Sequence, residues 1–296
     1  MDTIVERFVE RKGLKTKYPN LKIDSTNYRD CIYIDDPLLL FRFSGELKHK
    51  LGNPKKAYNI YFRGQTNDYP QFVPRIFRRI TGSNNNFKKR LDAYKELTSN
   101  LYHKTLQSRF KNEIGGAVLQ HYGIRTPWID LVDNLFIAIW FAAMDRSESE
   151  SYSYERSKQD YGFIYFIQVE TPSNSANQEI VEGRLTRWCD LRRTTNSLSL
   201  RPHNQGGIFF TKKGIDETNF DISEFIKAIV KFPVKEWNEF LTNLERLYSM
   251  DFMFPNTKND NTYKSLGSSI IKDYIRDIEK KYKLVENEIG KIDRYK

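Results

Sequence analysis

Leu119-Gln120-His121-Tyr122-Gly123-Ile124-Arg125-Thr126-Pro127-Trp128-Ile129-Asp130 is followed, after three intervening residues, by an almost wholly apolar run from Asn134 to Met144. The run is too short to span a bilayer, which takes about 20 residues. Its apolar side chains fall on every helical face, and such a helix belongs at the centre of a fold. Trp140 and Phe141 are therefore read as core residues and not as ligand contacts. A helix over roughly 113–121 precedes it and ends near Gly123. His121, Thr126 and Asp130 lie between the two helices, close to a buried centre.

Working outward, Ala57–Phe62 alternates and is rich in Tyr and Ile, so it reads as a strand that delivers Arg63 and Gly64 at its end. Residues 87–110 read as a long helix with the stripe Leu91, Tyr94, Leu97, Leu101 and Leu106. Asp35-Asp36-Pro37 opens an earlier helix, with a carboxylate cap and proline in the first turn, and Gly52 with Pro54 ends it. Further strands are expected over 161–169, 206–211 and 226–232, and a helix over 235–248 that Met253-Phe254-Pro255 closes. The stretches 146–160 and 171–180 read as exposed loops. These elements predict a mixed α/β fold with one central sheet, of strands near 57–63, 161–169, 206–211 and 226–232, flanked by helices. Three parts are expected: an N-terminal helical segment over 1–56, a main domain over 57–267, and a C-terminal helix over 268–296. In that last helix Ile271, Ile275, Ile278, Tyr282, Val285, Ile289 and Ile292 alternate at spacings of four and three. Such a seam suits either a coiled-coil homodimer or packing on the chain's own body.

The chain has 296 residues, with net charge +10 and Phe 20, Tyr 18 and Trp 4. It can bury a sizeable core. The sequence pI is about 9.3. That surplus favours phosphate-rich partners, although a lysine-rich surface spread along the chain gives the same number. Arg184, Arg187, Arg192, Arg193 and Arg201 surround Trp188. Cations interleaved with an aromatic suit a nucleic-acid backbone with a base stacked on the indole; a solvated basic loop is the plainer alternative. Cys31 and Cys189 are read as reduced thiols, and no Cys/His cluster suggests a metal. Neither a secretory signal nor a membrane span is read, so a cytoplasmic location is expected. Walker, GxGxxG, HExxH and GxSxG patterns do not occur, which leaves ATPase, dehydrogenase, zinc-protease and α/β-hydrolase readings without support.

Tyr61-Phe62-Arg63-Gly64-Gln65, Phe72-Val73-Pro74-Arg75-Ile76-Phe77-Arg78, Leu119-Gln120-His121-Tyr122-Gly123 with Thr126 and Asp130, Asn204-Gln205-Gly206-Gly207-Ile208-Phe209 and Phe254-Pro255 stand in one order. In that order the chain resembles the FRG domain family over about residues 57–270. The second of these stretches resembles the family's L-x-P-S-I-x-R. Two departures occur: Pro127 stands where the family has arginine, unless the neighbouring Arg125 takes its place, and Val132 stands where it has a hydroxyl.

The order Arg63, Thr126, Ala138 and Phe141 is also similar to mono-ADP-ribosyltransferases of the Arg-Ser-Glu type. That similarity implies an ADP-ribosyltransferase-like core and a site that handles NAD or a nucleotide. Arg63, Gly64 and Thr126 would hold the cofactor. An arginine fork grips phosphate, and glycine admits a ligand to the backbone. His121, Asp130 and Gln205 would be catalytic. Gln205 and Glu182 are the two candidates near where a late carboxylate is expected. Asp130 either orients His121 or pairs with Arg63, and the residues alone do not separate these. The family context implies a toxin or phage-defence effector. A nucleotide or nucleic-acid sensor without chemistry, and an interaction scaffold, stand beside it.

Overall fold

The computed structural model describes residues 17–18, 21–25, 28–52, 58–78, 85–104, 112–147, 153–172, 178–195, 197, 199–216, 218–256, 258–266, 269–285 and 288–290. Five strands form the main sheet: β1 (Lys22–Asp24), β2 (Cys31–Tyr33), β3 (Tyr58–Gln65), β7 (Tyr161–Glu170) and β11 (Ile226–Pro233), in the order β1-β2-β11-β7-β3. All neighbours are antiparallel except β2 and β11. A second sheet holds β4 (Ile129–Leu131), β8 (Val181–Glu182), β9 (Thr186–Asp190) and β10 (Ile208–Lys212), in the order β4-β10-β9-β8. The strand expected at 206–211 therefore belongs to this second sheet and not to a single central one. Alternation identifies a strand but says nothing of its partners. The two sheets are stitched where Phe62 and Val132 exchange backbone hydrogen bonds of 2.7 and 2.8 Å.

β7 explains why both sheets hold. Phe163, Tyr165, Ile167 and Val169 point into an apolar layer shared with Ile129, Leu131, Ile208 and Phe210 of the second sheet. Ile164 and Phe166 point the other way, into the main core. Successive strand residues face opposite sides, and here both sides are covered.

The first helix, α1 (Pro37–Leu51), begins as expected: the Asp36 carboxylate accepts from Leu38 N, and Pro37 sits in the first turn. α2 (Asn85–Lys104) and α3 (Asn112–His121) follow; the expected continuation of α2 over 105–110 lies outside the described residues. α4 (Leu135–Ala143) is capped by Asn134 and packs across β3 and β7. Trp140 is 1% exposed, in keeping with the core reading. A short pair, α5 (Leu191–Thr194) and α6 (Leu200–Asn204), links β9 to β10. After β11 come α7 (Asn238–Leu247), α8 (Met250–Met253), α9 (Asn261–Leu266) and α10 (Ser269–Lys281).

Three further expectations need correction. Within 146–160, taken as loop, a hairpin forms from β5 (Met144–Ser147) and β6 (Ser153–Arg156). Arg156 fastens it to α7 through Glu245, at 2.5 Å, and Asn238, at 3.1 Å. Polar composition hid strands whose stability comes from tethering. The segment before residue 57 is not purely helical either, because β1 and β2 extend the main sheet; the helix expected at its start lies largely in 1–16, outside the described residues. The C-terminal heptad helix stops at Lys281, and Lys283 takes a left-handed conformation, φ 54°. Ile271, Ile275, Ile278 and Ile289 are buried against the chain's own body, while Val285 is 74% exposed; Ile292 lies outside the described residues.

Candidate functional site: an arginine-rich pocket

β3 carries Arg63 to the junction of the sheets. The Phe62–Val132 bridge sets Arg63 beside Asp130, whose backbone carbonyl accepts from Nη1 at 2.8 Å. Nε donates to Gln65 Oε1 at 3.1 Å. The Asp130 carboxylate is 3.8 Å from Nη1 and half exposed, so that ion pair is loose. Burial, only partly offset by Asp130, pushes the Arg63 pKa below its ordinary value.

Gly64 does a different job from the one expected. A Cβ there would lie 1.9 Å from the Ala138 carbonyl oxygen and 2.7 Å from Ala142 N. The glycine lets α4 cross β3 at backbone contact, and the small residues Ala138 and Ala142 complete that crossing. It borders the pocket, but helix packing, not ligand approach, accounts for it.

His121 ends α3, and Gly123, φ 113°, turns the chain away. The imidazole is 8% exposed, and its Nε2 has no hydrogen-bond partner among the described residues. Burial, reinforced by the nearby Arg201 charge, lowers its pKa to about 4. The ring is therefore neutral at pH 7. Thr126 is fully buried. Its hydroxyl bonds the Gln120 side chain and accepts from Trp128 N at 3.1 Å. It shapes the turn and does not border the cavity, which corrects its assignment to cofactor binding.

Arg63, Gly64, His121, Asp130 and Gln205 line one pocket of about 190 Å³. Gln205 is fixed by donating to the Met253 carbonyl. Gly206, φ 61°, turns the chain under it. Residues that sequence reasoning did not place here complete the wall: Arg75, Arg146, Tyr154 and Arg201. Phe141 also lines it, so it is not purely core as Trp140 is. Arg146 and Tyr154 face each other across the β5–β6 hairpin, so missing the hairpin meant missing both. Arg201 is 2% exposed, its guanidinium stacked over Tyr122 at 5.0 Å and Phe254 at 5.1 Å. Phe254 in turn stacks on Tyr154 at 4.7 Å. Among the described lining residues, four arginines face one carboxylate, that of Asp130.

The basic segment is not the surface its sequence suggested. Trp188 is 6% exposed, packed on Tyr61, with its indole N–H donating to the Glu170 carbonyl at 2.8 Å. No base can stack on it. Arg192 is held by Asp133 and Asp190, with closest contacts of 2.8 and 2.7 Å. Arg187 pairs with Glu182 at 3.0 Å, and Arg201 belongs to the pocket. Arg184 and Arg193 remain exposed. Glu182 sits in a separate groove with Lys213, so it does not supply the late carboxylate.

Residues 58–151 match the model of the FRG domain. That stretch runs from β3 to just past β5 and includes Arg63, Arg75, His121, Asp130 and Arg146; Arg201, Gln205 and Phe254 lie beyond it. No curated protein and no solved structure is found to match the chain. No described helix is long and apolar enough to cross a membrane. Among the described residues no group of three or more His, Cys, Asp and Glu is placed to hold a metal ion.

Proposed function

We propose that this pocket binds the phosphate end of a nucleotide, NAD included. The observation that carries the reading is the imbalance of charge: Arg63, Arg75, Arg146 and Arg201 line the cavity with Asp130 as the one described carboxylate. Clustered guanidinium groups repel one another, and a phosphate relieves that cost while accepting bidentate hydrogen bonds. The neutral His121 offers Nε2 as a further polar contact. A cavity of about 190 Å³ is smaller than the roughly 300 Å³ at which whole-ligand sites begin. It would enclose a phosphorylated sugar and leave the rest of a dinucleotide outside.

The enzymatic form of this reading is an ADP-ribosyltransferase-like reaction on NAD, in a toxin or phage-defence setting. Asp130 would stabilise the developing sugar cation. With its pKa near 4, His121 is a weak base and serves better as a hydrogen-bond partner. A second reading, a nucleotide sensor that does no chemistry, is favoured by Gln205: an amide pinned to a backbone carbonyl stands where the transferase pattern wants a carboxylate. Incubation with NAD labelled in the nicotinamide and in the adenosine separates them. Nicotinamide release that Asp130→Asn abolishes supports the enzyme. Saturable binding with no release supports the sensor, and absence of binding by NAD, ADP and ADP-ribose alike overturns both.

A further inference from the structure

We propose that Arg75 forms a second anion seat at the mouth of this pocket, so that the site prefers a ligand with two linked phosphates over one with a single phosphate. The proposal rests on the phosphate reading above and adds its selectivity.

Arg63 has little left to give. It is largely buried, and it already donates to Gln65 and to the Asp130 carbonyl. One phosphate uses what remains of its fork. Arg75 differs in every respect. It also lines the pocket, but it is exposed. No described residue accepts a hydrogen bond from its guanidinium or forms an ion pair with it. Burial is the main reason the Arg63 and Arg78 pKa values lie below the ordinary one, and the nearby Arg75 charge adds to it. Arg78 is turned away, with Nε on the Val73 carbonyl at 3.1 Å. The Asp130 carboxylate lies 3.8 Å from Arg63 Nη1.

The backbone under Arg75 is built to stay in place. Residues Arg75–Phe77 form one turn of 3-10 helix after Pro74, closed by Phe77 N on the Pro74 carbonyl at 3.0 Å. Arg90, 7% exposed, reaches from α2 and donates to the carbonyls of Ile76 and Arg78 at 3.0 and 2.9 Å. Its Nε is anchored in turn by Glu288 at 2.6 Å. A rigid turn that presents an unpaired guanidinium at the edge of an anion pocket is suited to gripping the outer member of a diphosphate. The buried, unpartnered Nε2 of His121 on the same wall marks the inner end as ready for a ligand.

The test is calorimetric titration of the full chain and of Arg75→Ser with inorganic phosphate and pyrophosphate, at one ionic strength. The unmodified protein should bind pyrophosphate at least tenfold more tightly than phosphate. Arg75→Ser should lower that ratio roughly tenfold, the effect of losing one charge-assisted contact, and Arg75→Lys should restore part of it. If both anions bind but the ratio is unchanged in Arg75→Ser, the second seat is refuted and the phosphate pocket stands. If neither anion binds the unmodified protein, the pocket reading falls with it.

Discussion

At the scale of single residues, His121 yields the sharpest expectation. Its pKa is about 4 in the folded chain against an ordinary 6.5. Between those values the unfolded chain holds a proton that the folded chain does not, so acid favours unfolding there. The contribution is constant above pH 6.5 and fully lost below about pH 4. It should amount to roughly 3 kcal/mol. Urea unfolding from pH 7 to pH 4 should show this extra loss, and His121→Gln should remove it. Equal slopes in the two proteins would mean the imidazole is not buried as described. The sequence made His121, Arg63 and Asp130 legible, because each sits in a recognisable motif. It did not make Arg201 legible, because a cation beside Trp188 in sequence reads as surface. Burial against Tyr122 and Phe254 depends on elements some 50 to 80 residues away.

At the scale of elements, the crossing of α4 over β3 decides where the site is. Gly64→Ala would place a methyl group 1.9 Å from the Ala138 carbonyl oxygen. Backbone cannot swing aside as a side chain can. The substitution should therefore cost about 3 kcal/mol or more, measured by denaturant unfolding, and it should disturb the pocket even if the chain still folds. A cost below about 1 kcal/mol would show that the helix does not ride on the strand. Helix α4, strand β7 and the cap of α1 were plain in the sequence, since each follows a local rule of period or capping. The β5–β6 hairpin was not. Its residues are polar, and the partners that fix it, Glu245 and Asn238 of α7, come from a distant part of the chain. The pairing of strands into two sheets was hidden for the same reason.

At the scale of the whole molecule, the C-terminal segment buttresses the site. Arg125 N donates to the Ile289 carbonyl at 2.9 Å, just beyond the His121 turn. Glu288 holds Arg90, which holds the Arg75 turn. The apolar stripe of α10 is spent on the body of the chain, with Ile278 2% exposed. Ile278→Ala should therefore cost about 2–4 kcal/mol by an amount independent of protein concentration; a midpoint that rises with concentration would return the stripe to a dimer seam. If a phosphate-bearing nucleotide binds where Arg63 meets Asp130, thermal unfolding with and without ADP will show it. Ligand at a hundredfold excess over its dissociation constant should stabilise the unmodified protein by about 2.7 kcal/mol, a rise of several degrees in Tm. Arg63→Lys keeps the charge and loses the fork; its baseline Tm should fall with the lost bonds to Gln65 and the Asp130 carbonyl, and ADP should add little of that rise to it. An equal rise in both proteins, or none in the unmodified one up to millimolar ADP, would contradict the account.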